Sequence, residues 1–263
     1  DIYDSGTILN ECGNFYKDLY STQNIQSENI KEYIAGTNIP TLDHAKRDML
    51  DLEITEHELQ EAICNLKKTK SPGLDGLTPE FYQKFWRVLR MPFMDMLKDS
   101  YAKQTLPTTL NQAVLTLIFK KGDRKCLKNY RPISITNYDY KIIAFVLARR
   151  LQKVITSLVH IDQSGYIKGR YIGVNARYII DFFEHCEHFN VPGLILSLDF
   201  EKAFDRLEWN FIFETLKAMD FGDKFIDWIH VLYSNPIFFI KNNGWISKSI
   251  KMQRGIRDRK SVV

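Results

Sequence analysis

The sequence has few cysteines and no long apolar segment. Cys12, Cys64, Cys126 and Cys186 are separated by at least 52 residues, a spacing that argues against a zinc knuckle or a disulfide framework and for a reducing compartment. The longest uninterrupted apolar run covers only residues 142–148, whereas a helix that spans a bilayer needs about 20 residues. We therefore expect no membrane partner and an intracellular location, in the cytoplasm, the nucleus or both.

The charge of the chain is unevenly distributed, although the net value over its 263 residues is only +4. Residues 1–60 carry 12 acidic and 4 basic side chains, whereas residues 61–263 carry 20 acidic and 32 basic ones. Residues 120–131 (KKGDRKCLKNYR) hold six basic residues and one acidic residue. Basic runs are usually solvated surfaces, but such a run also suits a polyanion such as a nucleic acid. Charge alone leaves both interpretations open.

The periodicity predicts one continuous α+β unit without repeats or linkers. Residues 7–20 have the apolar spacing of an amphipathic helix, and a polar loop is expected from there to about residue 52. Thr55 and Glu58 form the pattern of a capping box at the start of the next helix. Further helices are predicted from residue 79 and over residues 140–159, 173–189, 208–219 and 222–233.

Two hairpins are also predicted. The β-type segments 113–119 and 132–136 flank the basic run, so its cations would lie at a hairpin tip. Asn243-Gly244, within residues 238–250, is a strong signal for a tight two-residue turn. The apolar segment 193–200 (GLILSLDF) predicts a buried strand.

Asp199 stands at the end of that predicted strand. A carboxylate fixed by a sheet next to a solvent-accessible turn makes a good metal ligand. An Asp after a strand is more often a turn or helix cap. The phospho-acceptor of a signalling receiver would also occupy this position, but that fold needs several parallel βα units, and the strands here cluster in hairpins.

Seven segments carry a more specific signal together than any of them does alone. They are FYKDLYS (15–21), KSPGLDGLTPEFYQKFW (70–86), LIFKKGD (117–123), NYRPISITNYDYKIIAFVLARRLQKVI (129–155), DQSGYIKGRYIGVNARYI (162–179), SLDFEKAFDRLEW (197–209) and QRGIR (253–257). In this order they resemble the reverse transcriptase domain of non-LTR (LINE-type) retrotransposons, and the resemblance covers nearly the whole chain.

The resemblance implies a partial right-hand polymerase with fingers and part of the palm, and with the thumb absent. Residues 1–52 would form an N-terminal helical extension. Residues 53–192 would form the fingers with the basic hairpin and long helices. Residues 193–263 would form part of the palm, with the first catalytic Asp, a β-hairpin and an atypical tail over residues 258–263.

The resemblance also implies roles at the nucleotide. Asp199 falls at the position of the first catalytic carboxylate, which binds Mg²⁺ in a two-metal nucleotidyl transfer. Lys120 and Arg131 match cations that contact the triphosphate. Phe204 matches the aromatic residue beneath the incoming sugar that excludes a 2′-hydroxyl, although a core Phe at a helix start is the simpler interpretation. Lys202, in the same motif, is expected to be a surface residue.

Other residues are expected along the nucleic acid. Tyr166 and Arg170 lie in a segment that follows the template strand in the family, where a stacked tyrosine would favour RNA; packing alone would equally explain Tyr166. The implied partners are an RNA template, a DNA primer and deoxynucleoside triphosphates. Contacts with template phosphates, or only with solvent, are expected of Lys121, Arg124, Lys125 and Lys128.

The sequence departs from the family pattern in three places. It contains no Asp-Asp dipeptide, which in the family supplies further catalytic carboxylates downstream of Asp199. Residues 254–257 match the family's next motif, but Asp258 stands where the family has Gln. We interpret the residues from Asp258 onward as foreign sequence, introduced by a frameshift, a truncated insertion or a chimeric assembly. Phe119 replaces the Pro that usually precedes Lys120.

Two functions therefore remain open. In one, the chain is part of an RNA-directed DNA polymerase that extends a DNA primer on an RNA template. In the other, it is an inactive remnant that at most binds nucleic acid. Because the second pair of carboxylates is missing, we expect this polypeptide to be inactive on its own.

Overall fold

A small mixed sheet and the helices around it are described by a computed structural model over residues 4–256. The strands are β1 (Gln112–Phe119), β2 (Tyr130–Thr136), β3 (Ile237–Asn242), β4 (Trp245–Ile246) and β5 (Ile250–Lys251). The helices are α1 (Ser5–Tyr20), α2 (Ser27–Ala35), α3 (His44–Leu50), α4 (Glu56–Cys64), α5 (Pro79–Ala102), α6 (Tyr138–Gln152), α7 (Ile155–Leu158), α8 (Gly173–Phe189), α9 (Trp209–Ala218) and α10 (Asp223–Tyr233).

The sheet joins the two predicted hairpins. Its strand order is β2-β1-β3-β4, and β5 also pairs with β3. Strands β1 and β2 are antiparallel, with Ile118 opposite Arg131, and β1 runs parallel to β3. Asn243 and Gly244 have φ values of 47° and 85°, as a type I′ turn requires. Both hairpin predictions are confirmed.

Helix α1 packs on one face of this sheet. Its buried residues follow each other at helical spacing, and the side chain of Asp4 caps the helix by accepting a hydrogen bond from the Thr7 amide. The N-terminal segment is therefore built into the core of the sheet. The buried side chains of this core include Leu9, Cys12, Tyr16, Leu19, Leu115, Phe238 and Ile240.

A second core lies among helices α4, α5, α6 and α10. It contains a largely buried ion pair, in which Nε and Nη2 of Arg150 each donate to a carboxylate oxygen of Glu58 at 2.7 Å. The same guanidinium donates to the backbone carbonyls of Leu50, Leu52 and Glu53. Each N–H group of this buried guanidinium therefore has a hydrogen-bond acceptor. The capping box of Thr55 and Glu58 is present as predicted.

The expectation of a polar loop from residue 21 to residue 52 is wrong, because two short helices occupy part of it. In α2, Ile30 and Ile34 are buried one turn apart. The carboxylate of Asp43 caps α3 by accepting from the Lys46 amide. Helices of nine and seven residues are too short to be stable in isolation. Packing against the rest of the fold therefore stabilises them.

The longest helices are interrupted or amphipathic. The helix predicted over residues 140–159 ends at Gln152 and resumes as the single turn of α7. Helix α5 has 24 residues and contains Pro92. Within residues 4–256, no helix combines the length and the apolar character needed to cross a bilayer.

Candidate functional site

The segment that leads to Asp199 is not a strand, so that prediction is wrong. Residues 191–200 have no regular secondary structure, and across residues 4–256 no backbone–backbone hydrogen bond involves residues 193–200. Leu194 and Phe200 are 86% and 80% exposed. The composition of a strand is a local property, but pairing needs a neighbouring strand. Within residues 4–256 the sheet contains no strand that pairs with this segment.

The turn after Asp199, residues 200–208, is ordered around Lys202. This residue has a left-handed backbone, with φ of 53°, and its carbonyl accepts from the amides of Asp205 and Arg206. A non-glycine residue in this conformation costs about 1–3 kcal/mol and persists where its surroundings fix it. Helix α1 and the segment 253–256 provide those surroundings.

Helix α1 holds one side of the turn. The ammonium group of Lys202 lies over the ring of Phe15, 4.6 Å from its centroid, and 5.8 Å from that of Tyr16. The hydroxyl of Tyr20 donates to the carboxylate of Asp205 at 3.4 Å. The expectation that Lys202 is a surface residue is therefore wrong for its amine, which is buried.

The segment 253–256 holds the other side. The amides of Gly255 and Ile256 donate to the carbonyls of Leu207 and Phe204. Gly255 has φ of 86°, and a Cβ added there would lie 2.6 Å from the carbonyl oxygen of Asp205. Only glycine allows so close an approach in this conformation.

An ion pair of Arg254 with Glu208 closes the arrangement. Nε of Arg254 donates to the carbonyl of Leu19, and Nη1 donates to Glu208 at 3.3 Å. Glu208 also accepts from the hydroxyl of Thr22 and the amide of Gln23. The end of α1, the turn and the segment 253–256 thus form one hydrogen-bonded unit.

Phe204 and Tyr166, both predicted from the sequence, are in contact. Their ring centroids are 5.6 Å apart and the rings are nearly perpendicular, at 77°, a favourable aromatic geometry. Tyr166 is largely exposed and has φ of 63°. Arg170 uses its guanidinium within its own loop, donating to the carbonyls of Val159, His160 and Gln163.

The basic hairpin presents its cations to solvent. Asn129 orders its tip: its carbonyl accepts from the Lys120 amide, and its side-chain amide donates to the carbonyl of Asp123. The guanidinium of Arg124 lies 5.0 Å from the ring centroid of Phe119, so the Phe that replaces the expected Pro supports a basic side chain. The exposed cations are Lys120, Lys121, Arg124, Lys125, Lys128 and Arg131.

The residues that the structure describes do not by themselves form a magnesium site. Within residues 4–256, no group of three or more His, Cys, Asp or Glu side chains is placed to hold a metal ion. Asp199 is exposed and is available as one oxygen ligand, whereas Asp205 is buried against Tyr20. The tail predicted over residues 258–263 lies outside the described residues.

Sequence reasoning missed the residues that anchor the turn. The anchoring contacts are made by Tyr20, Lys202 and Arg254. The sequence pattern assigns no role to Tyr20 or Arg254 beyond their place in matching segments. The close aromatic spacing of Phe15, Tyr16 and Tyr20 was the available signal, because an aromatic stripe on a helix needs a surface to cover.

Comparison with known proteins agrees with the resemblance. The family Reverse transcriptase (RNA-dependent DNA polymerase) matches residues 118–257, more than half of the chain. The chain is 35% identical to the uncharacterized 149 kDa protein of transposon TX1 from Xenopus laevis, over 97% of its own length and 19% of that protein's.

Two further relatives are retrovirus-related Pol polyproteins. Identity is 26% to that of the type-2 retrotransposable element R2DM from Drosophila melanogaster, over 78% of this chain and 19% of the relative. Identity is 28% to the polyprotein of the type-1 retrotransposable element R2 from Popillia japonica, over 78% of this chain and 28% of the relative. The matched part of the chain thus spans between 19% and 28% of the length of these relatives.

Proposed function

Since the chain belongs to the reverse transcriptase family of non-LTR retrotransposons, we propose that it forms part of an enzyme that extends a DNA primer on an RNA template. The observation that carries this proposal is the anchored turn that connects Asp199 to Phe204 and contacts Tyr166. Two segments meet there, because Phe204, expected beneath the nucleotide sugar and five positions after the expected metal ligand Asp199, contacts Tyr166, which is expected at the template. The division into an extension (1–52), fingers (53–192) and part of a palm (193–263) belongs to the same proposal.

The exposed cations suit the binding of phosphate groups. Lys120 and Arg131 lie at the two ends of the basic run and would contact the triphosphate, for which the planar fork of arginine is well shaped. Phe204 would lie beneath the sugar, and Tyr166 would stack on a template base. Template phosphates would be contacted by Lys121, Arg124, Lys125 and Lys128.

Two site residues have narrower roles in this proposal. Asp199 would supply one carboxylate ligand to Mg²⁺, with the other ligands coming from outside the described residues. Because the guanidinium of Arg170 already donates to three carbonyls, its contribution would be to shape the loop that presents Tyr166.

The proposal is tested by templated nucleotide binding, which does not require catalysis. A primer annealed to RNA is titrated with the chain, and retention of a labelled triphosphate is measured for the complementary and the three non-complementary bases. We expect the complementary triphosphate to be retained preferentially. Lys120→Gln and Arg131→Gln should each remove this preference, whereas Lys98→Gln, an exposed lysine on α5, should leave it unchanged.

A primer-extension assay on the same complexes addresses the alternative. Binding that falls steeply with salt, without preference for the complementary triphosphate and without incorporation, would favour a protein that only binds nucleic acid. Mg²⁺-dependent incorporation that is lost in Asp199→Asn but kept in Asp48→Asn, an exposed carboxylate on α3, would show that the chain is active alone.

A further inference from the structure

Lys202 is held in an unfavourable state in two respects. Its backbone is left-handed, and its amine is buried without a hydrogen-bond partner among residues 4–256. Burying a cation without full compensation is costly, and the two aromatic rings of α1 offset only part of that cost. Burial lowers the pKa of this amine; Asp205 and Glu201 oppose the shift, and Arg206 and Lys128 add to it.

The side chain borders a cleft with an excess of positive charge. The cleft, of about 230 Å³, lies between the C-terminal half of α1, the connection of the basic hairpin and the turn after Asp199. Four cationic and two anionic side chains line it: Lys128, Lys202, Arg206 and Arg254, and Asp18 and Glu201.

Two of the other three cations are available to a ligand. Arg254 is committed to Glu208 and the carbonyl of Leu19. Arg206 is half exposed, and its contact with Glu201 is a long one of 4.0 Å. Lys128 is exposed. The cleft therefore combines one buried cation with two that can turn toward a bound anion.

We propose that this cleft binds a phosphate group through Lys202, Lys128 and Arg206. A phosphate accepts several hydrogen bonds at once and would supply the partner that the Lys202 amine lacks among the described residues. The site includes none of Asp199, Phe204, Lys120 and Arg131, so it is additional to the proposed nucleotide contacts, and it shares only Lys128 with the proposed template contacts. It rests on the proposed function only for the source of the phosphate, which is either a nucleic acid strand or a free triphosphate.

A purely structural role for Lys202 makes a different prediction. Methionine keeps the apolar stem and the packing on the rings of Phe15 and Tyr16 without the charge. If Lys202 only filled space, Lys202→Met would leave anion binding unchanged. If it is retained to bind phosphate, Lys202→Met should make the protein more stable in phosphate-free buffer and weaken phosphate binding, since a binding site is often kept at the expense of stability.

The experiment titrates the chain with inorganic phosphate at constant ionic strength, with chloride as the reference, and follows the melting temperature and the ³¹P line width. We expect phosphate to raise the melting temperature of the unmodified chain. The affinity should fall roughly tenfold in Lys202→Met and in Lys128→Gln, by the loss of one charge-assisted hydrogen bond. Lys98→Gln should bind phosphate as the unmodified chain does.

Two further titrations identify the source of the phosphate. A loss of affinity in Arg206→Gln, at a cleft residue outside the proposed template contacts, for a single-stranded oligonucleotide but not for a triphosphate assigns the site to a strand; the reverse assigns it to the nucleotide. Unchanged phosphate binding in both Lys202→Met and Lys128→Gln overturns the proposal, and the exposed position of Lys128 keeps this outcome informative if Lys202→Met does not fold. Loss of templated triphosphate selection would contradict the proposed function without affecting the phosphate titration.

Discussion

Arg254 and Glu208 form an ion pair of 3.3 Å whose side chains are only 8% and 12% exposed, although they are 46 positions apart in the sequence. The pair joins the turn after Asp199 to the segment 253–256. Arg254 also donates to the carbonyl of Leu19, which links both to α1. A buried pair of this kind contributes mainly by fixing geometry, because its attraction is offset by desolvation.

Breaking this pair should be strongly destabilising. In Arg254→Met, Glu208 keeps a buried charge without its cation, and we expect the free energy of unfolding to fall by about 3–5 kcal/mol. Urea denaturation measures it. The matched control is Arg90→Met, whose pair with Glu56 is nearly half exposed and should contribute less than about 1 kcal/mol. Equal losses in the two variants would contradict the structure.

The close approach of Gly255 to the turn can be isolated by a pair of alanine variants. Gly255 and Gly244 have almost the same φ, 86° and 85°, but an added Cβ meets the carbonyl of Asp205 only at Gly255, since nothing lies within 4 Å of it at Gly244. We expect Gly244→Ala to cost about 1 kcal/mol from backbone strain alone. Gly255→Ala should cost at least about 2 kcal/mol more, and similar urea midpoints would show that the turn is not packed against this segment.

The ion pair of Arg150 and Glu58 should make stability depend on pH in acid. Burial by itself would raise the pKa of Glu58, but hydrogen bonds from Arg150 and Thr55 lower it overall. Because the folded-state pKa lies below the unfolded value, this carboxylate stabilises the fold above about pH 4.5. That stabilisation is lost as the pH falls through the folded-state pKa.

Urea midpoints between pH 7 and pH 3 test this dependence. Glu58→Gln should be less stable at pH 7 and should lose less stability on acidification than the unmodified chain. Glu61→Gln is the control, because its pair with Arg149 is nearly half exposed, and its acid profile should follow that of the unmodified chain. An unaltered slope in Glu58→Gln would count against the buried pair.

The exposed segment before Asp199 should tolerate polar residues. Leu198→Ser removes a side chain that is 76% exposed, so we expect a change in unfolding free energy within about 0.5 kcal/mol and less self-association by light scattering. In contrast, Leu115→Ser, at a buried position on β1, should be destabilised by more than about 2 kcal/mol. A comparable loss in Leu198→Ser would show that the segment is buried after all.

Features that depend on neighbouring residues were predictable from the sequence. The capping box of Thr55 and Glu58 and the turn at Asn243-Gly244 are encoded within four residues, and both form as predicted. The basic hairpin is less local, but its two strands follow each other in the sequence and pair directly across one connection over residues 120–129. The order of matching segments, in turn, was sufficient to identify the family.

Features that depend on distant partners were not predictable. The segment 193–200 has the composition of a strand, but composition does not supply a pairing partner. The burial of the Lys202 amine depends on Phe15 and Tyr16, nearly 190 positions earlier. The sequence of a short helix such as α2 has too little intrinsic helix propensity to be distinguished from that of a polar loop.

The contacts of α1 show that the folding unit is larger than the region by which the family is identified. That region begins at residue 118, within β1, whereas the carbonyls of Leu19 and Tyr20 accept from Arg254 and Gln253 near its end. A fragment cut at the family boundary would retain the turn after Asp199 without the helix that supports it. Fragments prepared from this protein should therefore begin before α1. The region matched by the family needs residues outside the match to hold the shape of its turn.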